Sequence, residues 1–178
     1  MLCGQINLQK GNAGASNLKE YLSAKLQTVN QSTNAGQPAE VERLLKPCAF
    51  LICLQEPPVR EFSVTGFGRQ HQLFQGRQNK RPRAAIYASS NLHLWLVPEF
   101  TSADLVTCIW KLQGGKEYYV ASAYLDITNH EVIDKKLSDL LEFCSRGDKE
   151  LLLCADTNAH SILWNSPDTN PRGEKWKR

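Results

Sequence analysis

Ala49-Phe-Leu-Ile-Cys-Leu54, followed at once by Gln55-Glu56-Pro57-Pro58, is the stretch that decides the architecture. An unbroken apolar run of strand length, without alternation, reads as a strand covered on both faces. The two prolines forbid its continuation, so the polar pair Gln55-Glu56 marks the end of a buried strand. Glu150–Ala155 repeats the arrangement as a buried strand that ends at Asp156-Thr157-Asn158. Residues 2–8 predict a short strand that ends at Asn7. Further strands are predicted over Ala84–Ala88, Leu92–Val97, Leu105–Leu112 and Tyr118–Tyr124. Gln113-Gly114-Gly115-Lys116 joins the last two as a hairpin.

Helical spacing occurs in three places. Ser16 can cap a helix with Leu18, Tyr21, Leu22, Leu26 and Val29 on one face. Pro38 can open a second, carrying Val41, Leu44 and Leu45. Thr128-Asn-His-Glu131 fits a capping box for a third, with Val132, Ile133, Leu137, Leu140, Leu141 and Phe143 inward and Gly147 as its stop. Strands and amphipathic helices in alternation, with several β segments in the middle and no internal repeat, predict one mixed α/β domain over residues 1–178.

Composition sets the outer bounds. The chain has 178 residues, 42% hydrophobic and 22% charged, which excludes disordered and fibrous classes. No apolar run approaches the roughly 20 residues that span a bilayer, so no membrane partner is expected. The start, Met1-Leu-Cys-Gly-Gln-Ile-Asn7, does not look like a secretory signal. Cys3, Cys48, Cys53, Cys108, Cys144 and Cys154 form no Cys-x-x-Cys pair, and five lie in or beside apolar segments. They read as free thiols of an intracellular protein rather than zinc ligands or a disulfide framework. The net charge of +3 hides an asymmetry: residues 1–89 carry 11 Lys/Arg against 5 Glu (+6), and residues 90–178 carry 10 against 13 acids (−3). Such halves suit a protein that meets both a polyanion and a cation. The basic side is densest between Arg60 and Arg83, a loop-like stretch in which Phe67 and Phe74 read as loop anchors more readily than as base-stacking rings.

The informative residues stand where apolar strands stop: Asn7, Glu56, Tyr124 with Asp126 just beyond, then Asp156 and Asn158. Residues just past strand ends are held by the sheet and left open by the loops, which is where sites on sheets are commonly built. Asp156 and Asn158 are two apart, so an extended chain points both to one side, where a carboxylate and a carboxamide can bind a water or a metal.

Four segments together carry a family resemblance: Leu51-Ile-Cys-Leu-Gln-Glu-Pro57, Arg83-Ala-Ala-Ile86, Ser122-Ala-Tyr-Leu125 and Ala155-Asp-Thr-Asn-Ala-His-Ser-Ile-Leu-Trp-Asn-Ser166. The chain resembles the endonuclease domain of non-LTR (LINE-type) retrotransposons. That domain belongs to the endonuclease/exonuclease/phosphatase superfamily with DNase I and the apurinic/apyrimidinic endonucleases. Asp168-Thr-Asn-Pro-Arg-Gly-Glu174 resembles the arginine–glycine segment that follows in these retroelement enzymes. The fold implied is a four-layer αββα sandwich.

By the same resemblance, Asn7 corresponds to an asparagine near the scissile phosphate, Glu56 to the metal-binding glutamate, and Tyr124 to the tyrosine that contacts the phosphate. Asp156 corresponds to the aspartate that positions or deprotonates the attacking water, with Asn158 beside it. His160 shapes the active-site loop or serves as a further catalytic group, and Trp164 belongs to the same segment. The implied activity is divalent-metal-dependent nicking of target DNA, with Mg²⁺, or Mn²⁺ on the same oxygen ligands, as cofactor. Double-stranded DNA is then the partner, met by Arg69, Arg77, Lys80, Arg81 and Arg83, with a reverse transcriptase domain in a parent polyprotein and action in the nucleus. The resemblance also implies a late Ser-Asp-His motif and further strands of the second sheet. Here the chain runs Gly173-Glu-Lys-Trp-Lys-Arg178, so the expectation is a domain lacking its C-terminal strands, either a fragment of a longer protein or a copy that ends early. An inactive remnant that only binds nucleic acid is the alternative. A relative acting on RNA ends or on phosphate esters is a third reading, against which the Asn-Ala-His-x-x-x-Trp segment stands.

Overall fold

Apolar runs at positions 50–54 and 84–88 pair into the middle of one sheet, and the runs at 105–110 and 118–124 into the middle of a second. The computed structural model describes residues 2–7 (backbone only), 49–76, 80–112, 114–129, 131 and 133–176. Of Trp164 and Trp176, too, only the backbone is described. The helices expected over 16–29 and 38–46 lie outside the described residues, as do Arg77 and His130.

The first sheet has the order β1 (Leu2–Asn7), β2 (Phe50–Gln55), β6 (Ala84–Ala88), β5 (Gln72–Gln75). The second runs β10 (Glu150–Asp156), β9 (Glu117–Tyr124), β8 (Leu105–Lys111), β7 (His93–Leu96). Each sheet has one parallel pair, β1 with β2 and β10 with β9, and is otherwise antiparallel. A two-stranded ribbon, β3 (Val59–Arg60) with β4 (Ser63–Val64), turns through Glu61 and Phe62, both at positive φ.

Alternation within the strands divides their side chains among three cores. Leu51 and Cys53 of β2, Ala84 and Ile86 of β6, and Val106 and Cys108 of β8 belong to the core where the two sheets face each other. Phe50, Ile52, Leu54, Ala85 and Tyr87 point to the other side of the first sheet, under Val59, Val64 and Phe67. Leu105, Tyr119, Ala121 and Ala123 point outward from the second sheet onto Leu137, Leu140 and Cys144 of α1 (Lys135–Arg146). Two stacked mixed sheets with a helix outside the second agree with the α/β class and with the central layers of the expected sandwich.

Most strand expectations hold to within a residue or two. Every residue of β2 is buried, as its unbroken apolar run requires, and Gly114 and Gly115 take φ of 101° and 88° in the hairpin turn, a conformation glycine adopts without strain. Three local readings change. Gln72–Gln75, read as loop, is the strand β5 at the end of the first sheet. The strand at 150–156 is only partly buried, with Leu153 36% exposed. The capping box at Thr128 is not used. The Thr128 amide and hydroxyl both bond Asp126 Oδ1 (2.9 and 2.8 Å), and the helix starts at Lys135, with Asp134 capping it by accepting from the Leu137 amide at 2.8 Å. Asp126 is therefore a turn and ion-pair residue. Phe67 does anchor its loop, whereas Phe74 proves to be a residue of β5. Phe67 lies on Tyr87 with ring centroids 4.7 Å apart, and Phe74 packs against the inter-sheet core. Cys53, Cys108 and Cys144 are buried and Cys154 is partly buried, and none of these four is in a disulfide. No helix among the described residues is long and apolar enough to cross a membrane.

Candidate active site

Two polar residues inside apolar strands bring the strand ends together. Gln55, the last residue of β2, is fully buried and donates from Nε2 to Ser122 Oγ of β9 (2.9 Å) and to the Cys154 carbonyl of β10 (3.3 Å). Ser122 Oγ donates in turn to the Leu54 carbonyl (2.9 Å). Buried polar groups find partners, and here those partners belong to the opposite sheet. The bridge fixes the register of one sheet on the other. One residue past Gln55 is Glu56, two past Ser122 is Tyr124, and two past Cys154 is Asp156. The parallel pairing of β9 with β10 sets Tyr124 directly beside Asp156, and that of β1 with β2 sets the backbone of Asn7 beside Gln55 at the same end. The side chain of Asn7 lies outside the described atoms.

Glu56 has a left-handed backbone, φ 50°, and its amide donates to the Arg83 carbonyl at 2.8 Å. That conformation is uncommon for a glutamate and is held by the surrounding structure. Its carboxylate accepts a hydrogen bond from the Tyr124 hydroxyl, while Oε2 is buried with no hydrogen-bond partner. Burial pushes the Glu56 carboxyl above its ordinary value; the Tyr124 bond opposes this, the nearby Asp156 charge adds to it, and Arg83 and Arg81 counter it. Burial raises the Tyr124 hydroxyl as well, helped by the Glu56 charge and opposed by a hydrogen bond from Asn158. Asn158, also left-handed at φ 49°, donates to the Leu125 carbonyl (3.0 Å), and its amide donates to Asp156 Oδ1 (3.0 Å). Glu56, Tyr124, Asp156 and Asn158 thus form one hydrogen-bonded and electrostatic group drawn from three strand ends. A cavity of about 360 Å³, lined by Glu56, Arg81, Pro82 and Arg83, opens beside it.

Other expected site residues take other places. Arg83 forks onto both oxygens of Asp104 (2.6 and 2.7 Å), pairs with Asp126, and sets its guanidinium 4.8 Å from the centre of the Tyr124 ring. Its donors are directed at protein carboxylates. Asp104, which completes this network, was missed as a site residue, and Asp126, noted at its strand end, was not joined to Arg83, because no local pattern links either to that arginine. Gln55 and Ser122 were missed too, although a glutamine and a serine inside apolar strands are the signal that could have found them. Arg69, Lys80 and Arg81 are exposed. His160 faces Asp168, Nδ1 to Oδ1 at 3.1 Å, with half of its side chain open to solvent.

Among the described residues no three or more His, Cys, Asp or Glu side chains gather into a metal-binding group. Mg²⁺, however, takes one or two carboxylates and fills its shell with water and substrate oxygens. The unpartnered, buried Oε2 of Glu56, with the Asp156 charge nearby, has the chemistry of such a ligand set.

No protein-family model and no curated protein matches the sequence. Among solved structures, the chain is similar to the endonuclease domain of TRAS1, a telomere-specific non-LTR retrotransposon, with a TM-score of 0.56 and 22% identity over 97% of this chain. The chain spans 66% of that structure's length. At this identity the likeness is one of fold.

Proposed function

We propose that the chain is a phosphodiester hydrolase of the endonuclease type that nicks DNA with the help of a divalent cation. The observation that carries this reading is the buried, unpartnered oxygen of Glu56, held beside Tyr124 and Asp156 where β2, β9 and β10 end together. Glu56 would hold Mg²⁺, or Mn²⁺, with Asp156 close by. Bound there, the cation would supply neutralising charge to the anionic phosphate.

The remaining roles belong to the chain's own groups. Tyr124, whose one hydroxyl proton goes to Glu56 in the free protein, could turn it to a phosphate oxygen if a cation took that carboxylate. Asp156 can orient a water for in-line attack and accept its proton, while the Asn158 amide keeps that carboxylate turned toward the site. Asn7 sits at the same strand ends. Arg81 in the cavity wall, with Arg69, Lys80 and Arg77 in the same basic stretch, would meet backbone phosphates of double-stranded DNA. A retrotransposon setting would put a reverse transcriptase domain in the same polyprotein and place the reaction in the nucleus. The fold, similar to that of a retrotransposon endonuclease domain, supports the reading.

The test is nicking of supercoiled plasmid in the presence of Mg²⁺, with Glu56→Ala and Asp156→Ala as controls. Metal-dependent nicking that both variants lose is the expected result. Equal nicking by wild type and variants overturns the proposal. Salt-sensitive DNA binding without cleavage would instead identify a nucleic-acid-binding remnant.

A further inference from the structure

Arg172 is a charged residue buried to 7% exposure that pairs with no carboxylate among the described residues. Its guanidinium bonds backbone carbonyls instead. Nη1 donates to Leu125 (2.7 Å) and Thr157 (3.1 Å), and Nη2 to Asp126 (2.7 Å), with longer contacts to Asn129 (3.4 Å) and Glu131 (3.5 Å). A buried charge compensated only by carbonyl dipoles is costly to keep, so its placement calls for a reason. The carbonyls it gathers lie on the two loops that leave β9 and β10. Thr157 stands between Asp156 and Asn158, and the Leu125 carbonyl also accepts the Asn158 side chain.

Neighbours of Arg172 grip the same loop. Asn170 Nδ2 donates to the Asn158 carbonyl (2.9 Å), and Asn170 Oδ1 accepts from the amides of His160 (3.1 Å) and Gly173 (2.7 Å). A Cβ on Gly173 would fall 1.7 Å from the His160 carbonyl oxygen, so only glycine allows this close approach.

We propose that Arg172 is a positioning residue for the candidate site, tying the Asp156–Asn158 loop to the end of β9 so that Asp156, Asn158 and Tyr124 keep their mutual geometry. The catalytic part of this inference rests on the nuclease reading, whereas the clasp itself does not. The planar fork is essential to it, because one ammonium cannot reach carbonyls on two loops in the same arrangement.

The experiment uses the full chain and two readouts. In plasmid nicking, Arg172→Ala should lower kcat by on the order of 10²-fold, the effect of a small misplacement of reacting groups, with KM for DNA little changed. Added guanidinium should restore part of that loss in Arg172→Ala and none in Arg172→Met, whose side chain fills the space. In amide hydrogen exchange, Leu125, Thr128, Asn129 and Asn158 should lose protection while β2 and β6 keep theirs. Should Arg172→Ala fail to fold, Arg172→Lys carries the same test and should show the same local loss of protection.

Unchanged exchange at those four amides, a loss of protection spread evenly over both sheets, or full kcat in Arg172→Lys would overturn the proposal. If the wild-type chain does not nick, the nuclease reading fails and the exchange pattern alone decides whether Arg172 is the clasp.

Discussion

Replacing Arg83 by Met removes a cation that two carboxylates and one aromatic ring share, and the structure sets the size of the effect. The Asp126 carboxyl is held at about 2, by the Thr128 amide first, then Arg83, then the Thr128 hydroxyl. From an ordinary 3.8 that depression corresponds to ~2.5 kcal/mol at ~1.4 kcal/mol per pH unit. Arg83 is one of three groups responsible and the pair is partly open to water, so its share is about 1 kcal/mol or less. The bidentate pair with Asp104 adds ~1–2 kcal/mol, and the stacking on Tyr124 about 0.5 kcal/mol. A loss of about 3 kcal/mol should lower the unfolding midpoint of a chain this size by roughly 6–12 °C. The assay is thermal unfolding followed by circular dichroism at pH 7 and at steps down to pH 2. Because Asp126 has a depressed value when folded, its contribution is complete above its unfolded value near 4 and is lost as the pH falls toward 2. The gap between wild type and Arg83→Met should therefore narrow over that window. A gap below about 2 °C at pH 7, or one that does not narrow on acidification, would refute the assignment of Arg83 to an internal network.

Three further substitutions test other parts of the structure. Glu56→Gln should raise the unfolding midpoint at pH 7 while abolishing nicking, because burial disfavours the ionised carboxylate; the sign follows from a raised folded value, whose unfavourable contribution disappears as the pH falls through it, so the two melting curves should converge in acid. Tyr124→Phe should reduce single-turnover nicking by about 10²–10³-fold, the usual effect of deleting one donor to a developing negative charge. Asp134→Ala should destabilise the protein by about 1 kcal/mol through loss of the α1 cap, read as a drop of about 2–4 °C in the melting midpoint.

Where the strands run and where they stop is written locally along the chain. Unbroken apolar runs such as Phe50–Leu54, a glycine pair in a hairpin and prolines after Glu56 are local signals, and the folded chain obeys them because burial and backbone sterics act on neighbouring residues. Local signals failed where two segments offered the same chemistry. Thr128 and Asp134 are both acceptable caps, and the choice fell to Asp134 because Asp126 engages Thr128. The strand Gln72–Gln75 carries only Leu73 and Phe74 as apolar residues, too short a signal to read locally, and it is completed by pairing with β6. What the charges do was settled by packing between segments far apart in the chain. Arg83, in a basic stretch, read as a phosphate ligand, yet its partners stand 21 and 43 residues away. Arg172 closes on carbonyls more than 40 residues back along the chain. Such pairings depend on which strand ends the Gln55–Ser122 bridge brings into register. That is a property of two packed sheets, which no spacing along the chain encodes.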